Sequence, residues 1–214
     1  LFGAALALPL GALPGLTLAE DLTVVMSAPL RTLDPTSSTA RIVRSHGFMV
    51  FDTLLGLDEN MAVQPEMASY TVSDDNLVYT FTLRDDVVFH DGTPLTAEDV
   101  KFTFDRLQAA GAMVLNEMGP FTGAEVVDTH TVQLTLSAPF APMLSALSRI
   151  YIVNKALVEP HMGNDNARQW LAVNTAGSGP YMVTSYMPTE AVTLEAFPGY
   201  WGGWEGNRVA EVVF

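Results

Sequence analysis

The chain has 214 residues, no cysteine, and 24 acidic against 10 basic side chains, for a formal net charge of −14. The lack of cysteine excludes a disulfide framework, a thiolate metal site and a cysteine nucleophile. The negative field disfavours nucleic acid and anionic lipid surfaces as partners, while the length leaves room for one large domain or two small ones and 49% hydrophobic residues suffice for a sizeable core.

Residues 1–19 carry no charge, are rich in Leu, Ala and Gly, and include Pro9 and Pro14. Thr17-Leu18-Ala19 is followed at once by Glu20 and Asp21. This is the pattern of the apolar core and small-residue exit of a secretory signal peptide, so 1–19 is expected to be a signal remnant that starts inside the signal. The competing reading is a membrane anchor, which needs about 20 apolar residues without breaks. The remainder, 20–214, is expected to be exported and soluble.

Residues 22–26 form an apolar run, expected as a buried strand that ends in a turn at Leu33-Asp34-Pro35. Ile42, Val43, His46, Met49, Val50, Thr53 and Leu54 make a helical stripe over 40–57, with Gly56 near its end. Residues 70–72 and 77–83 read as a hairpin around Ser73-Asp74-Asp75-Asn76. In its second arm Leu77, Tyr79, Phe81 and Leu83 alternate with Val78, Thr80 and Thr82, the two-residue period of a half-buried strand. Asp91-Gly92 is a turn pair. Thr96 with Asp99 three residues on is a capping box, and Val100, Phe104 and Leu107 give the helix that follows an apolar face. A second hairpin is expected over 124–127 and 131–136, a short helix over 140–147, and a buried strand over 150–153. Short helices over 155–161 and 166–172, a third hairpin over 181–185 and 192–196, and a strand over 209–214 complete the α/β pattern. Gly177-Ser-Gly-Pro180 is the sharpest break in the second half.

The candidate chemistry is sparse. His90-Asp91 has no second His at i+4, and His46, His130 and His161 stand singly, so a structural turn is favoured over a metal pair. Ser178 lies between glycines but without Gly-x-Ser-x-Gly spacing, and Pro180 forbids the helix start that would supply an oxyanion hole. No Lys-Ser/Thr follows those glycines, so they are not a phosphate loop. Glu98 and Asp99 are adjacent on a helix and point to different faces. No catalytic group, metal ligand set or cofactor is expected. Trp201, beside Tyr200 and between glycines, either stacks on a solute or packs an aromatic turn, and the packed turn is favoured. Arg149 stands among apolar residues just before a buried strand. A largely buried Arg requires an anionic partner, either an acidic side chain or the carboxylate of a bound solute.

Tyr79-Thr-Phe-Thr-Leu-Arg84, followed by Phe89 to Arg106 (FHDGTPLTAEDVKFTFDR), resembles the signature of the large solute-binding proteins of bacterial ABC importers, family 5, which carry peptides, dipeptides and nickel chelates. Leu22-Thr-Val-Val-Met with Leu33-Asp-Pro35, Phe51-Asp-Thr-Leu-Leu55 and Gln64-Pro-Glu-Met-Ala68 are similar to further family segments. So is Gly177-Ser-Gly-Pro-Tyr181, with Ser178 where the family has Thr, and Pro198-Gly-Tyr-Trp-Gly202, with Phe197 replacing Asn.

The resemblance covers about 22–214. It implies a type II periplasmic-binding-protein-like α/β fold, of which this chain would supply an incomplete first lobe with an extra subdomain near 45–170, the second lobe being absent. Such a fragment is expected to fold poorly alone, with an unpaired sheet edge. The resemblance also implies a periplasmic receptor, a monomer without enzymatic activity, that captures a peptide or other small solute and passes it to an ABC permease and ATPase complex. A sensor or chaperone without a transport role, and a secreted hydrolase, are the alternatives. In relatives an Arg near the place of Arg149 can face the solute cleft. Ser38 and Thr39 fall where relatives reach the cleft, unless one of them is a helix N-cap. Asn116 and Met113 lie in a loop that borders it in some relatives.

Overall fold

A computed structural model describes residues 21–25, 29–37, 41–204 and 209–214. The signal-like segment 1–19, and Ser38 and Thr39, lie outside the described residues.

The elements run β1 (Leu22–Thr23), α1 (Arg41–Val50), β2 (Leu55–Leu57), β3 (Val63–Pro65), β4 (Ala68–Val72), β5 (Val78–Leu83) and α2 (Ala97–Ala109). There follow β6 (Phe121–Asp128), β7 (Thr131–Leu136), α3 (Met143–Leu147), α4 (Lys155–Val158), α5 (Arg168–Leu171), β8 (Tyr181–Met187), β9 (Ala191–Ala196) and β10 (Glu211–Val213). One four-stranded sheet has the order β4-β5-β7-β6, all antiparallel; a second has the order β1-β10-β9-β8, with β1 parallel to β10; β2 and β3 pair as a two-stranded antiparallel sheet. The three expected hairpins are present.

β5 sits inside its sheet because its alternation serves it there. Tyr79, Phe81 and Leu83 are buried on one face, and Phe81 lies opposite Tyr70 on one side and Val132 on the other. The threonines take the opposite face, where Gln133 donates to Thr80 Oγ1 at 3.1 Å. α2 packs across β6 and β7, and its Phe104 ring lies 5.3 Å from that of Phe121.

Two hydrophobic clusters result, and the run 150–153 is the wall between them. Ile150 and Ile152 belong to the first cluster, with the β4–β7 sheet; Tyr151 and Val153 belong to the second, with α1 and β9. The two-residue period of extended chain thus feeds both cores at once. α2 does the same through Val100 and Phe104 on one side and Phe102 on the other.

Two expectations need correction. The helix expected over 40–57 ends at Val50. Phe51, Asp52, Thr53 and Leu54 are buried all round, in an extended run that bridges Tyr151 through Thr53. Gly56 therefore lies in a strand. The strand expected to be buried at 22–26 is reduced to Leu22–Thr23, both exposed, and Val25 is 91% exposed.

The long signature segment proves to be a connector. Gly92 supplies the positive φ of its turn, at 85°. Asp91 accepts from Thr93 through one carboxylate oxygen and from Asn154 Nδ2, at 3.1 Å, through the other. Asp99 Oδ2 takes the Thr96 N–H at 2.9 Å and its hydroxyl at 2.7 Å, closing the capping box of α2. Its Oδ1 takes the Lys155 N–H at 2.9 Å, so one buried carboxylate ties the starts of α2 and α4 together. His90 holds the Gly177-Ser-Gly-Pro180 loop, with its N–H donated to Gly177 O and its Nε2 2.9 Å from Gly179 O. That loop crosses the end of α1 so closely that a Cβ at Gly177 would lie 1.9 Å from Val50 O.

Candidate functional site

The loop after β1 is fixed from below by a buried ion pair. Arg106, on the side of α2 turned away from the first core, donates from Nη2 to Asp34 Oδ2 at 2.8 Å. It also donates from Nη1 to Thr36 Oγ1 at 3.1 Å and from Nε to Asn166 O at 2.8 Å. Both charged side chains are 1% exposed. Asp34 completes its shell with the Thr36 N–H and hydroxyl, at 2.9 and 2.7 Å. All three guanidinium nitrogens and both carboxylate oxygens are thereby hydrogen-bonded, which offsets the cost of burying the two charges.

Above this floor lies a cavity of about 420 Å³. Its wall includes the 32–37 loop, Met113, Tyr151 and three guanidinium groups, those of Arg44, Arg149 and Arg168. Three arginines around one hollow, in a chain of net charge −14, make a local cationic site. Arg168 is partly spoken for, donating to Ala110 O at 2.7 Å. The carboxylate of Glu117 lies 2.5 Å from Arg149 Nη1 and 3.5 Å from Arg44 Nη2. Burial pushes the Tyr151 phenol up, so it stays neutral and donates to Arg44 O at 3.2 Å.

A second hollow, of about 440 Å³, lies beside β1 and β10. Its wall is mostly apolar, with Glu190 as the charged side chain among the described lining residues. The first hollow is the better candidate because it joins apolar surface to convergent charged groups.

Arg149 corrects one expectation. It is not buried: its side chain is 41% exposed, and the anionic partner it meets is Glu117. Ser148 and Ile150 on either side are buried, so the apolar context was real, but the intervening side chain turns outward to the cavity. Asn116 is exposed on the 3₁₀ turn Met113–Met118 and is not among the cavity's wall residues, whereas Met113 of the same turn is. Ser38 and Thr39 lie outside the described residues, although the loop leading to them, through Ser37, forms part of the wall.

Trp201 stands elsewhere, in a packed aromatic turn. Its indole N–H donates to Asp52 Oδ2 at 3.0 Å, and the Arg84 guanidinium covers its ring at 4.6 Å. Asp52 also accepts from the Ser178 hydroxyl at 2.9 Å. Burial raises the Asp52 carboxyl above its usual range, offset in part by those two hydrogen bonds. Burial likewise raises nearby Glu66, which accepts from Thr53 Oγ1 at 2.7 Å. Ser178 is fully buried, so no attacking hydroxyl is presented to solvent. Burial lowers the His90 imidazole, which packs edge-on against Phe197 at 5.0 Å. Among the described residues, no group of three or more His, Asp or Glu side chains is placed to hold a metal ion.

Sequence reasoning missed Asp34, Arg44, Arg106, Glu117 and Arg168. Arg106 closed the signature segment in plain view, but no periodic signal joins it to an acid on a loop before α1.

Against known proteins, the family model described as "Bacterial extracellular solute-binding proteins, family 5 Middle" matches residues 62–214. The probable D,D-dipeptide-binding periplasmic protein DdpA of Escherichia coli (strain K12) is 42% identical over 137 residues, which are 63% of this chain and 26% of DdpA. The glutathione-binding protein GsiB of Salmonella typhi is 32% identical over 199 residues, 92% of this chain and 38% of GsiB. Among solved structures, the PBP AgaA of A.tumefacien R10 in complex with agropinic acid is 28% identical with a TM-score of 0.77, over 92% of this chain and 39% of that one. The chain thus spans between a quarter and two fifths of the length of these relatives.

Proposed function

From the premise that the chain belongs to the bacterial extracellular solute-binding proteins of family 5, we propose that it captures acidic small solutes of the peptide class outside the cytoplasm for delivery to the permease and ATPase of an ABC importer. Its α/β architecture is that of the type II periplasmic binding proteins. Among the described residues no helix is long and apolar enough to cross a membrane. The relatives named above are binding proteins, and one solved neighbour holds an acid, which supports a receptor without catalytic chemistry of its own. The first hydrophobic cluster draws on residues between Leu54 and Ile152, which supports a subdomain within about 45–170.

The observation that carries the reading is the set of Arg44, Arg149 and Arg168 around one cavity. Guanidinium groups bind carboxylates through charge-assisted, often paired hydrogen bonds, which suits the free terminus of a peptide. Arg149 is the residue assigned to the solute carboxylate. Closure over the solute follows by selection of the state in which it gains the most contacts.

The test is calorimetry on the full-length protein with glutathione and a D,D-dipeptide as probes. Arg149→Ala is expected to weaken binding of the free acid about 10- to 100-fold, the loss of one hydrogen bond to a charged group. Binding that is unchanged by Arg149→Ala and insensitive to salt would refute the assignment.

A further inference from the structure

Glu117 is the acidic neighbour of two arginines of the cavity wall. Its carboxylate spans two guanidinium groups from remote parts of the chain, Arg44 on α1 and Arg149 on the link between α3 and the buried run 150–153. Both arginines line the cavity, whereas Glu117 itself does not. It rides on the 3₁₀ turn Met113–Met118, whose Met113 and Val114 belong to the same wall. The contact with Arg149 is close, and the one with Arg44, at 3.5 Å, is an ion pair without a hydrogen bond. All three side chains are between about three and four tenths exposed, so water competes for the pairing and it can be exchanged at low cost.

We propose that Glu117 is a built-in counter-charge that competes with a solute carboxylate for Arg44 and Arg149, and so sets both the affinity for acidic solutes and the preference for them over neutral ones. The inference rests on the cavity being the solute site. With Glu117 ionised the trio carries one net positive charge, and a solute carboxylate must share the guanidinium donors with it. Without that charge the pair presents two positive charges to the solute. A unit charge about 6 Å from the incoming carboxylate, at an effective dielectric of about 40 to 80, changes affinity about 3- to 10-fold. A neutral solute does not sense the change.

The experiment compares wild type, Glu117→Gln and Glu117→Asp in the full-length protein by calorimetry. The probes are N-acetyl-D-alanyl-D-alanine and N-acetyl-D-alanylglycine, each as the free acid, with one negative charge, and as the C-terminal amide, with none. Glu117→Gln is expected to tighten the acids about 3- to 10-fold, leave the amides unchanged, and steepen the loss of acid binding with salt. Glu117→Asp, which keeps the charge, is expected to stay near wild type. An unchanged or weakened acid, or equal shifts for acid and amide, overturns the proposal, because a role limited to holding the turn would move both probes together. Acid binding that ignores Arg149→Ala overturns the cavity reading itself, and a wild type that binds neither acid overturns both.

Discussion

Removing the Arg106 guanidinium tests whether the floor of the cavity is what fixes its wall. Arg106→Met deletes three hydrogen bonds, to Asp34, Thr36 and Asn166, and leaves the Asp34 carboxylate 1% exposed with only Thr36 for company. Breaking one side of a buried pair costs about 3–5 kcal/mol, chiefly because an uncompensated charge stays behind. In a domain of this size each kcal/mol lowers Tm by about 2–4 °C, so a drop of roughly 6–20 °C is expected. Asp34→Asn strands the other charge and falls in the same range. In the double variant neither formal charge remains, so the cost is smaller than the sum of the singles by about 2 kcal/mol or more. Urea denaturation of the full-length protein, followed by circular dichroism at pH 7, gives all three values. Single costs below about 1 kcal/mol, with no coupling, would place this pair in the class of exposed salt bridges and refute the reasoning.

Three further outcomes can be checked by similar means. Gly177→Ala is expected to abolish the yield of folded protein, since its Cβ would sit 1.9 Å from Val50 O, whereas Gly123→Ala, with no atom within 4 Å, is expected to be tolerated; equal yields would contradict the close crossing. Burial holds the His46 imidazole at about 4, against 6.5 in the unfolded chain; its side chain is 2% exposed and neither ring nitrogen has a hydrogen-bond partner among the described residues, with a backbone approach from Leu33 only partly offsetting burial. The unfolded state therefore binds more protons between those values, so stability rises with pH across that window and about 3 kcal/mol of it is lost on acidification from 6.5 to 4. Asp52 and Glu66, raised by burial, contribute the opposite slope, so the informative quantity is the difference between wild type and His46→Leu in urea midpoint at pH 7 and pH 4.5. Parallel pH profiles would remove His46 from the account. Asp52→Asn, which keeps an acceptor for Trp201 and Ser178, is expected to cost under about 1 kcal/mol, and Asp52→Leu about 2–3 kcal/mol by stranding both donors. A reversed order in their urea midpoints would mean the charge itself is what that position needs.

The architecture was largely readable wherever local chemistry decides it. The alternation of Tyr79, Phe81 and Leu83, the Thr96–Asp99 box and the Asp91-Gly92 turn all appear as written. The stripe over 40–57 misled because Thr53 and Leu54 continue a helical spacing by accident; full burial of 51–54 lets the chain run extended there. Arg149 was found for a reason that does not hold: apolar neighbours suggested burial, whereas the side chain is exposed at the cavity. Its partner Glu117 was equally available in the sequence, but no spacing rule joins a 3₁₀ turn to a loop 32 positions on. Asp34 and Arg106, 72 positions apart, meet only because α2 lies directly against the 32–37 loop in the folded chain. Pairings of that range belong to the finished fold and leave no local mark.

The parallel pairing of β1 with β10 has a consequence for the order of events on the ribosome. Leu22 must find Val212, so its strand partner does not exist until nearly the whole described chain has been made. At about 5–20 residues per second that delay is on the order of ten to forty seconds. The β4-β5-β7-β6 sheet closes entirely between Ala68 and Leu136 and can form while β1 still waits. During that interval the N-terminal strand is an unpaired ribbon, available to whatever binds nascent chains.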